Sequence, residues 1–340
     1  MSANSQPLLQ VDGLSVEMDV PAGLLHAVSD VSFEVGAGRT FCLVGESGCG
    51  KTMTSLALMQ LLPRKARLSA RRILFEGRDL ARMSPREIAR LRGDRMGMIF
   101  QDPMTALNPV YTIGDQLAEV YVRHRRASRK QARERAVELL ERVGIMSAGQ
   151  RLAQYPHQLS GGLRQRVMIA MTLMCEPSLV IADEPTTALD VTVQVQILQL
   201  LKKLQAEMGM AIILITHNLG VVARMADDVA VMYGGRIVES GSPAQVFGRA
   251  SHPYTRGLMA CMPTRGEAGP GQRLGSIPGT VPSLVGAPQG CAFRNRCAHA
   301  GEACGHGVIA MRDAGAGHHY RCVLAAGAES GRHAVQEALQ

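Results

Sequence analysis

The sequence predicts an α/β fold in which a core carries an antiparallel β subdomain, a helical subdomain insert and a small loop-rich C-terminal extension. Three observations predict it. Short apolar runs of strand length alternate with helical segments on both sides of a middle block. That block, 101–157, has helical periodicity. From about Ser251 the composition turns to Gly, Pro, Ala and Arg with little periodicity. The segments expected are therefore 1–100, 101–157, 158–250 and 251–340.

The elements follow in order. The first ~40 residues read as β structure, with Val31-Ser-Phe-Glu-Val35 alternating as a half-buried strand does. Thr40-Phe-Cys-Leu-Val44 is a short apolar run that stops at a Gly-rich loop, and a helix is expected from about Thr52 to Leu62, ended by Pro63. Strand pieces are expected at Arg72–Phe75 and Met96–Phe100. Within the helical block, Ser128 and Gln131 fit a capping box, and Ala132, Ala136, Leu139 and Val143 share a face that Gly144 ends. Glu138 and Arg142 have the favourable i, i+4 order. Strand, helix and strand then return at Leu179–Ala182, Val191–Met208 and Ala211–Ile215. Gly234-Gly235 reads as a two-residue hairpin turn.

Composition limits the function classes. The 340 residues are 46% hydrophobic and 19% charged, the balance of a globular protein rather than a disordered one. No run reaches the ~18 apolar residues that span a bilayer, and the N-terminus lacks the basic start and apolar core of a secretory signal. The chain is expected to stay in the cytoplasm, with any membrane role coming through a partner. The net charge of +8 is concentrated between Arg123 and Arg135, which reads as a solvated helix face. With 4% aromatics and no Trp, few side chains can stack on bases, so nucleic acid is not the expected partner.

Three segments carry phosphate chemistry. Gly45-Glu-Ser47-Gly48-Cys-Gly50-Lys51-Thr52 matches G-x-x-x-x-G-K-[ST] between an apolar strand and a helix. Its glycines let backbone N–H groups curl round phosphates, Lys51 should reach the β- and γ-phosphates, and the Thr52 hydroxyl should bind Mg²⁺. Cys49 occupies a variable position and is assigned no chemistry. Leu179-Val-Ile-Ala-Asp183-Glu184-Pro185 is a strand ending in two acids. Asp183 fits the Mg²⁺ shell, and Glu184 is placed to accept a proton from the attacking water. In Leu159-Ser160-Gly161-Gly162-Leu-Arg-Gln165-Arg166, a Ser and two glycines before a helix make a second anion-binding N-terminus.

With Lys51, Asp183-Glu184 and His217 around it, that last segment resembles the LSGGxxQR signature of the ABC transporter ATPases. The resemblance implies a P-loop ATPase core in which 1–100 and 158–250 build the nucleotide domain around the helical insert. It also implies that Ser160, Gly161 and Gly162 cap the γ-phosphate of ATP held by a second ATPase subunit. Gln101 resembles the glutamine that senses Mg²⁺ and the attacking water, Ala188-Leu-Asp190 the loop that crosses to the partner, and His217 the switch histidine on the γ-phosphate. Counting from Phe33 puts Met18 where the family stacks adenine on an aromatic ring. Soluble relatives acting on nucleic acid carry long insertions or two cassettes, whereas here only about 110 residues separate Lys51 from Ser160.

Gln101-Asp-Pro-Met-Thr-Ala-Leu-Asn-Pro109, His252-Pro-Tyr-Thr255, Ile277-Pro-Gly279 and Gly290-Cys-Ala-Phe-Arg-Asn-Arg-Cys297 resemble the oligopeptide/dipeptide importer ATPases. The resemblance implies peptide uptake, with a related second ATPase chain, two membrane permeases and an external solute-binding protein. It places the chain peripherally on the cytoplasmic face of the inner membrane. Relatives carrying nickel, glutathione or other small solutes are the alternative. Cys291, Cys297, Cys304 and Cys322 fall in the Gly-rich tail, which needs a cross-link to be ordered. Four thiolates suit a [4Fe–4S] cluster, as the importer resemblance implies. Zinc lacks its usual C-x₂₋₄-C pairs, and unliganded thiols are the third option. Cys42, Cys175 and Cys261 read as small buried hydrophobes, and His318 and His319 as solvated.

Overall fold

The computed structural model describes residues 6–187, 189–262, 276–286 and 289–327. The chain forms two compact units, one comprising 9–34, 40–81 and the part from Thr216 onward, the other chiefly 35–39 and 82–215.

In the first unit, β1 (Leu9–Val20) and β2 (Gly23–Val35) open an antiparallel sheet completed by β4 (Ala66–Ser69), β5 (Arg72–Phe75) and β6 (Arg78–Asp79). The N-terminal half of β1 pairs with β5 and its C-terminal half with β4. Burial changes parity across Gly13, from Leu9 and Val11 to Leu14 and Val16, so one strand keeps its apolar side on the core through the change of partner. The alternation at 31–35 holds, with Val31 and Val35 buried and Ser32 and Glu34 exposed. β3 (Thr40–Val44) is buried at all five positions and leads through the Gly-rich loop into α1 (Lys51–Leu58).

The end of α1 differs from expectation. The helix stops at Leu58, not at Leu62 before Pro63, because Gln60 takes the left-handed conformation at φ 49°. The Gln60 N–H then donates to Ala57 O, and Leu61 N–H to Leu56 O, closing a Schellman motif. The sequence carries no glycine there to announce it.

The second unit begins with α2 (Pro85–Leu91), opened by a Ser84–Glu87 capping box. It is followed by β7 (Met96–Ile99), α3 (Pro103–Ala106), α4 (Ile113–Arg125), α5 (Arg129–Arg142), α6 (Ala148–Arg151) and α7 (Gly161–Thr172). The Ser128–Gln131 capping box is present, and Ala132, Ala136, Leu139 and Val143 are fully buried. Arg142 pairs with Glu138 at 3.1 Å. The basic stretch is partly neutralised, Arg125 pairing with Asp94 and Arg135 with Glu138 and Glu176. β8 (Leu179–Asp183), α8 (Val191–Met208) and β9 (Ala211–Thr216) complete the unit's α/β part. β7, β8 and β9 are parallel neighbours, Met96 opposite Leu179 and Leu179 opposite Ala211.

The chain returns to the first unit through α9 (Leu219–Met225), β10 (Asp228–Tyr233) and β11 (Arg236–Gly241). Gly234 and Gly235 both have positive φ, 55° and 75°, as a primed two-residue hairpin turn requires. After α10 (Pro243–Gly248) and α11 (Pro253–Ala260) come β12 (Arg312–Gly315) and β13 (His318–Tyr320). These two strands extend the order β3-β10-β11 to β13 and β12, with Glu239 opposite Tyr320. The tail is therefore stitched onto a sheet and not only looped over it.

His318 corrects the sequence reading. It is 4% exposed, and its Nε2 lies 2.8 Å from the carboxylate of Glu239, which is itself fully buried. Its neighbour His319 remains partly exposed, as expected of alternating strand faces.

Candidate nucleotide site

The Gly-rich loop is shaped by close backbone approaches. A Cβ on Gly45 would lie 2.2 Å from Met232 O, and one on Gly50, at φ 102°, 2.4 Å from Ala27 O. Neither position has room for a side chain, so the loop curls as a phosphate cradle does. Lys51 opens α1 and is 5% exposed, its Nζ donating to Gly45 O at 2.8 Å and Glu46 O at 2.9 Å. Ser47, Gly48 and Thr52 lie on the exposed side of the loop and helix start. Cys49 is fully buried 3.8 Å from Lys51 Nζ, and burial raises its thiol pKa, consistent with a structural filler. In the same unit, His217 follows β9 on the exposed surface, and Asn218 caps α9. Met18 sits half-buried on β1 opposite Ala66.

The second unit brings Gln101 and Glu184 together. Asp183 ends the buried strand β8 and is 3% exposed. Glu184 follows it at φ 45°, an uncommon conformation for a side-chain-bearing residue. It persists because both ends are held. Its N–H donates to Ile215 O at 2.9 Å, and its Oε2 accepts from Gln101 Nε2 at 3.1 Å and Thr187 Oγ1 at 2.8 Å. Strain held by surrounding contacts is a mark of a functional position. Ser160 caps α7, its Oγ accepting from Leu163 N–H, with Gly161 and Gly162 forming the helix start. Asp190 precedes α8 and is exposed, as is Val191 at 75%, while Ala188 lies outside the described residues.

The four tail cysteines line one cavity together with His252 and Phe293. Burial pushes the Cys291 thiol up to about 11. His252 is 1% exposed; its Nδ1 accepts the Tyr254 N–H, and its Nε2 has no hydrogen-bond partner. No group of three or more His, Cys, Asp or Glu among the described residues is arranged to hold a metal ion. Of the remaining cysteines, Cys42 and Cys175 are buried as expected, whereas Cys261, at the C-cap of α11, is only half-buried.

Sequence reasoning missed a contact between this tail and the Gly-rich loop. Arg296 makes a bidentate ion pair with Glu46, at 2.6 and 3.1 Å, with its side chain 5% exposed. The hydroxyl of Tyr254 accepts the Glu46 N–H at 2.9 Å. Both residues lie in segments marked by the importer resemblance, yet neither position carries a local signal of what it touches.

A Gly-rich nucleotide-type loop between a buried strand and a helix, a strand ending in two acids and an LSGG-started helix define an ABC-type ATPase. The model of the ABC transporter family matches residues 28–187, and that of the oligopeptide/dipeptide transporter C-terminal region matches 238–304. A putative peptide import ATP-binding protein of Brucella melitensis is 52% identical over 94% of this chain and 97% of its own length. The dipeptide transport ATP-binding protein DppD of Bacillus subtilis is 50% identical over 86% of this chain and 87% of its own. The oligopeptide transport ATP-binding protein OppD of Salmonella typhimurium is 48% identical, covering 87% and 88%. Among solved structures, cbiO1 of Clostridium perfringens, part of an ABC transporter complex, superposes with a TM-score of 0.62 at 30% identity. It covers 72% of this chain and 92% of its own. The chain belongs to the ABC transporter ATPases, in the branch that carries the oligopeptide/dipeptide transporter C-terminal region.

Proposed function

We propose that this chain is the ATP-hydrolysing subunit of an importer that takes up short peptides. The observation that carries the reading is one chain holding both the complete set of ATPase motifs and the C-terminal region matched at 238–304. Relatives named for peptide, dipeptide and oligopeptide transport, at about half identity along nearly the full length, support the substrate class.

Each site residue takes a role within that reaction. The backbone of Gly45, Ser47, Gly48 and Gly50 cradles the phosphates, and Lys51 turns its ammonium from the loop carbonyls to the β- and γ-phosphates. The Mg²⁺ that accompanies ATP offsets the charge that builds on the phosphates. Thr52, Gln101 and Asp183 are the residues that would hold it, and their hydroxyl, amide and carboxylate oxygens are the hard donors this ion takes. Glu184 accepts the proton of the attacking water as its oxygen bonds to the γ-phosphorus and the bond to ADP breaks. His217 steadies the γ-phosphate, and Met18 packs against adenine. Ser160, Gly161, Gly162 and Asp190 serve the nucleotide of a second ATPase subunit, and the exposed Val191 beside Asp190 supplies apolar surface for that contact.

No helix among the described residues is long and apolar enough to cross a membrane. In this reading the chain works with two permease subunits, reached from the cytoplasmic face through the helical lobe 101–157, and a solute-binding protein on the outer side. The test is uptake of a labelled dipeptide by cells with and without this chain, challenged by unlabelled peptides, Ni²⁺ or glutathione. Loss of uptake without the chain, and competition by peptides alone, is expected. Competition by Ni²⁺ or glutathione instead of peptides would reassign the cargo.

We propose further that the four tail cysteines, Cys291, Cys297, Cys304 and Cys322, would hold a [4Fe–4S] cluster. The support is their place around one cavity, which His252 also lines. A cluster takes one thiolate per iron, so its ligands need not converge on one point as zinc ligands do. When bound, it would cross-link the tail. About four irons and matching sulfide per chain, with broad visible absorption, are expected of protein purified without oxygen. Absence of both iron and zinc would leave a plain thiol-bearing tail.

A further inference from the structure

We propose that Arg296 and Tyr254 are positioning residues for ATP, gripping Glu46 and thereby holding the phosphate-binding loop in its nucleotide-ready curl. The inference concerns ATP binding and stands whatever occupies the cysteine cavity.

All five N–H donors of the Arg296 guanidinium are engaged. Nε donates to Pro278 O at 2.9 Å. Nη1 donates to Glu46 Oε2 at 2.6 Å and to the Tyr233 hydroxyl at 3.3 Å. Nη2 donates to Glu46 Oε1 at 3.1 Å and to Ile277 O at 3.0 Å. No donor is left for another task, so the geometry defines a fixed joint. The guanidinium also lies 5.8 Å from the Tyr233 ring centroid and 6.0 Å from that of Phe293. Tyr233, Tyr254 and Phe293 pack on one another with centroids 4.5 to 5.4 Å apart. A chain with only six Tyr and six Phe gathers three of them here.

What the joint holds decides its meaning. Glu46 is gripped at its carboxylate by Arg296 and at its backbone N–H by Tyr254. Its carbonyl, with that of Gly45, accepts from Lys51 Nζ. The residue that the tail fixes is therefore one of the two whose carbonyls station the phosphate-binding lysine. Freeing Glu46 lets the loop sample conformations that do not bind phosphate, and each such conformation lowers apparent affinity in proportion to its population. A lysine at 296 could not replace the fork, having three donors on a single nitrogen.

The test is a double-mutant cycle on the full-length chain, reading the Kd of a fluorescent ATP analogue beside the unfolding midpoint. Arg296→Ala and Glu46→Ala are each expected to raise Kd about tenfold, the scale of one charged hydrogen-bonded contact. The double variant should bind no worse than either single one, because both remove the same contact. KM for ATP should rise in step, with kcat changed much less. Tyr254→Phe deletes only the accepting oxygen and keeps the ring packing, so it decides the matter if Arg296→Ala fails to fold. It is expected to raise Kd about threefold or more while lowering the midpoint by no more than a few degrees, so that the chain stays folded under the binding assay. Wild-type affinity in folded Arg296→Ala or in Tyr254→Phe overturns the proposal, as do effects of Arg296→Ala and Glu46→Ala that simply multiply.

Discussion

Replacing Glu184 with Gln is expected to slow ATP hydrolysis by about 10²–10⁴-fold, the contribution of a positioned general base, while ATP binding persists. The substitution is nearly isosteric. The new side-chain oxygen still accepts from Gln101 and Thr187, so the strained backbone at φ 45° keeps its supports. What is lost is the basic lone pair that takes the water proton. Chains that bind ATP without consuming it should accumulate as closed, ATP-bound dimers, measurable by size-exclusion chromatography with retained nucleotide. Hydrolysis within about threefold of wild type would remove Glu184 as the base, since such a loss is far below the range for one.

Replacing Glu239 with Ala should cost about 3–5 kcal/mol and lower the unfolding midpoint by roughly 6–10 °C. The carboxylate is fully buried and accepts from Ser251 N–H at 2.6 Å, from His252 N–H at 3.0 Å and from His318 Nε2 at 2.8 Å. One side chain thus ties β11 to the start of α11 and to β13. Its loss orphans two backbone donors and a buried imidazole in one step. Thermal unfolding of the full chain reads the effect. A midpoint within about 2 °C of wild type, as an exposed substitution gives, would show that water or a shifted side chain satisfies these donors.

Much of the fold was legible because its signals are local. The alternation at Val31–Val35, the helix Val191–Met208, the Ser128–Gln131 cap and the Gly234-Gly235 turn are written in residues adjacent to the structure they cause. The end of α1 was not legible, because Gln60 adopts a conformation that glycine normally marks. The strands β12 and β13 were missed for a different reason. Each is only three or four residues long, β12 pairs only with β13, and the strand that anchors β13 to the sheet, β11, lies about 80 residues earlier in the chain. His318 looked solvated for the same reason, since its buried partner Glu239 belongs to that distant strand.

The candidate site divides along the same line. Its phosphate motifs are contiguous, so Lys51, Asp183 and Glu184 stood out from their local strand and loop context, and Ser160 from the signature its segment resembles. Arg296 and Tyr254 reach the loop across 250 and 208 residues, a relation no local pattern encodes. Gln101 lies between these cases. Its place after a strand was readable, whereas its hydrogen bond to Glu184 is a product of the fold.

The most direct measurement of the central claim is labelled-peptide accumulation and ATP consumption in the same membrane vesicles, with the permeases and solute-binding protein present. Peptide accumulation with ATP consumed, and loss of both with Glu184→Gln, is the predicted result. Continued accumulation with the Glu184→Gln chain, or ATP turnover indifferent to peptide alongside no uptake, would contradict it.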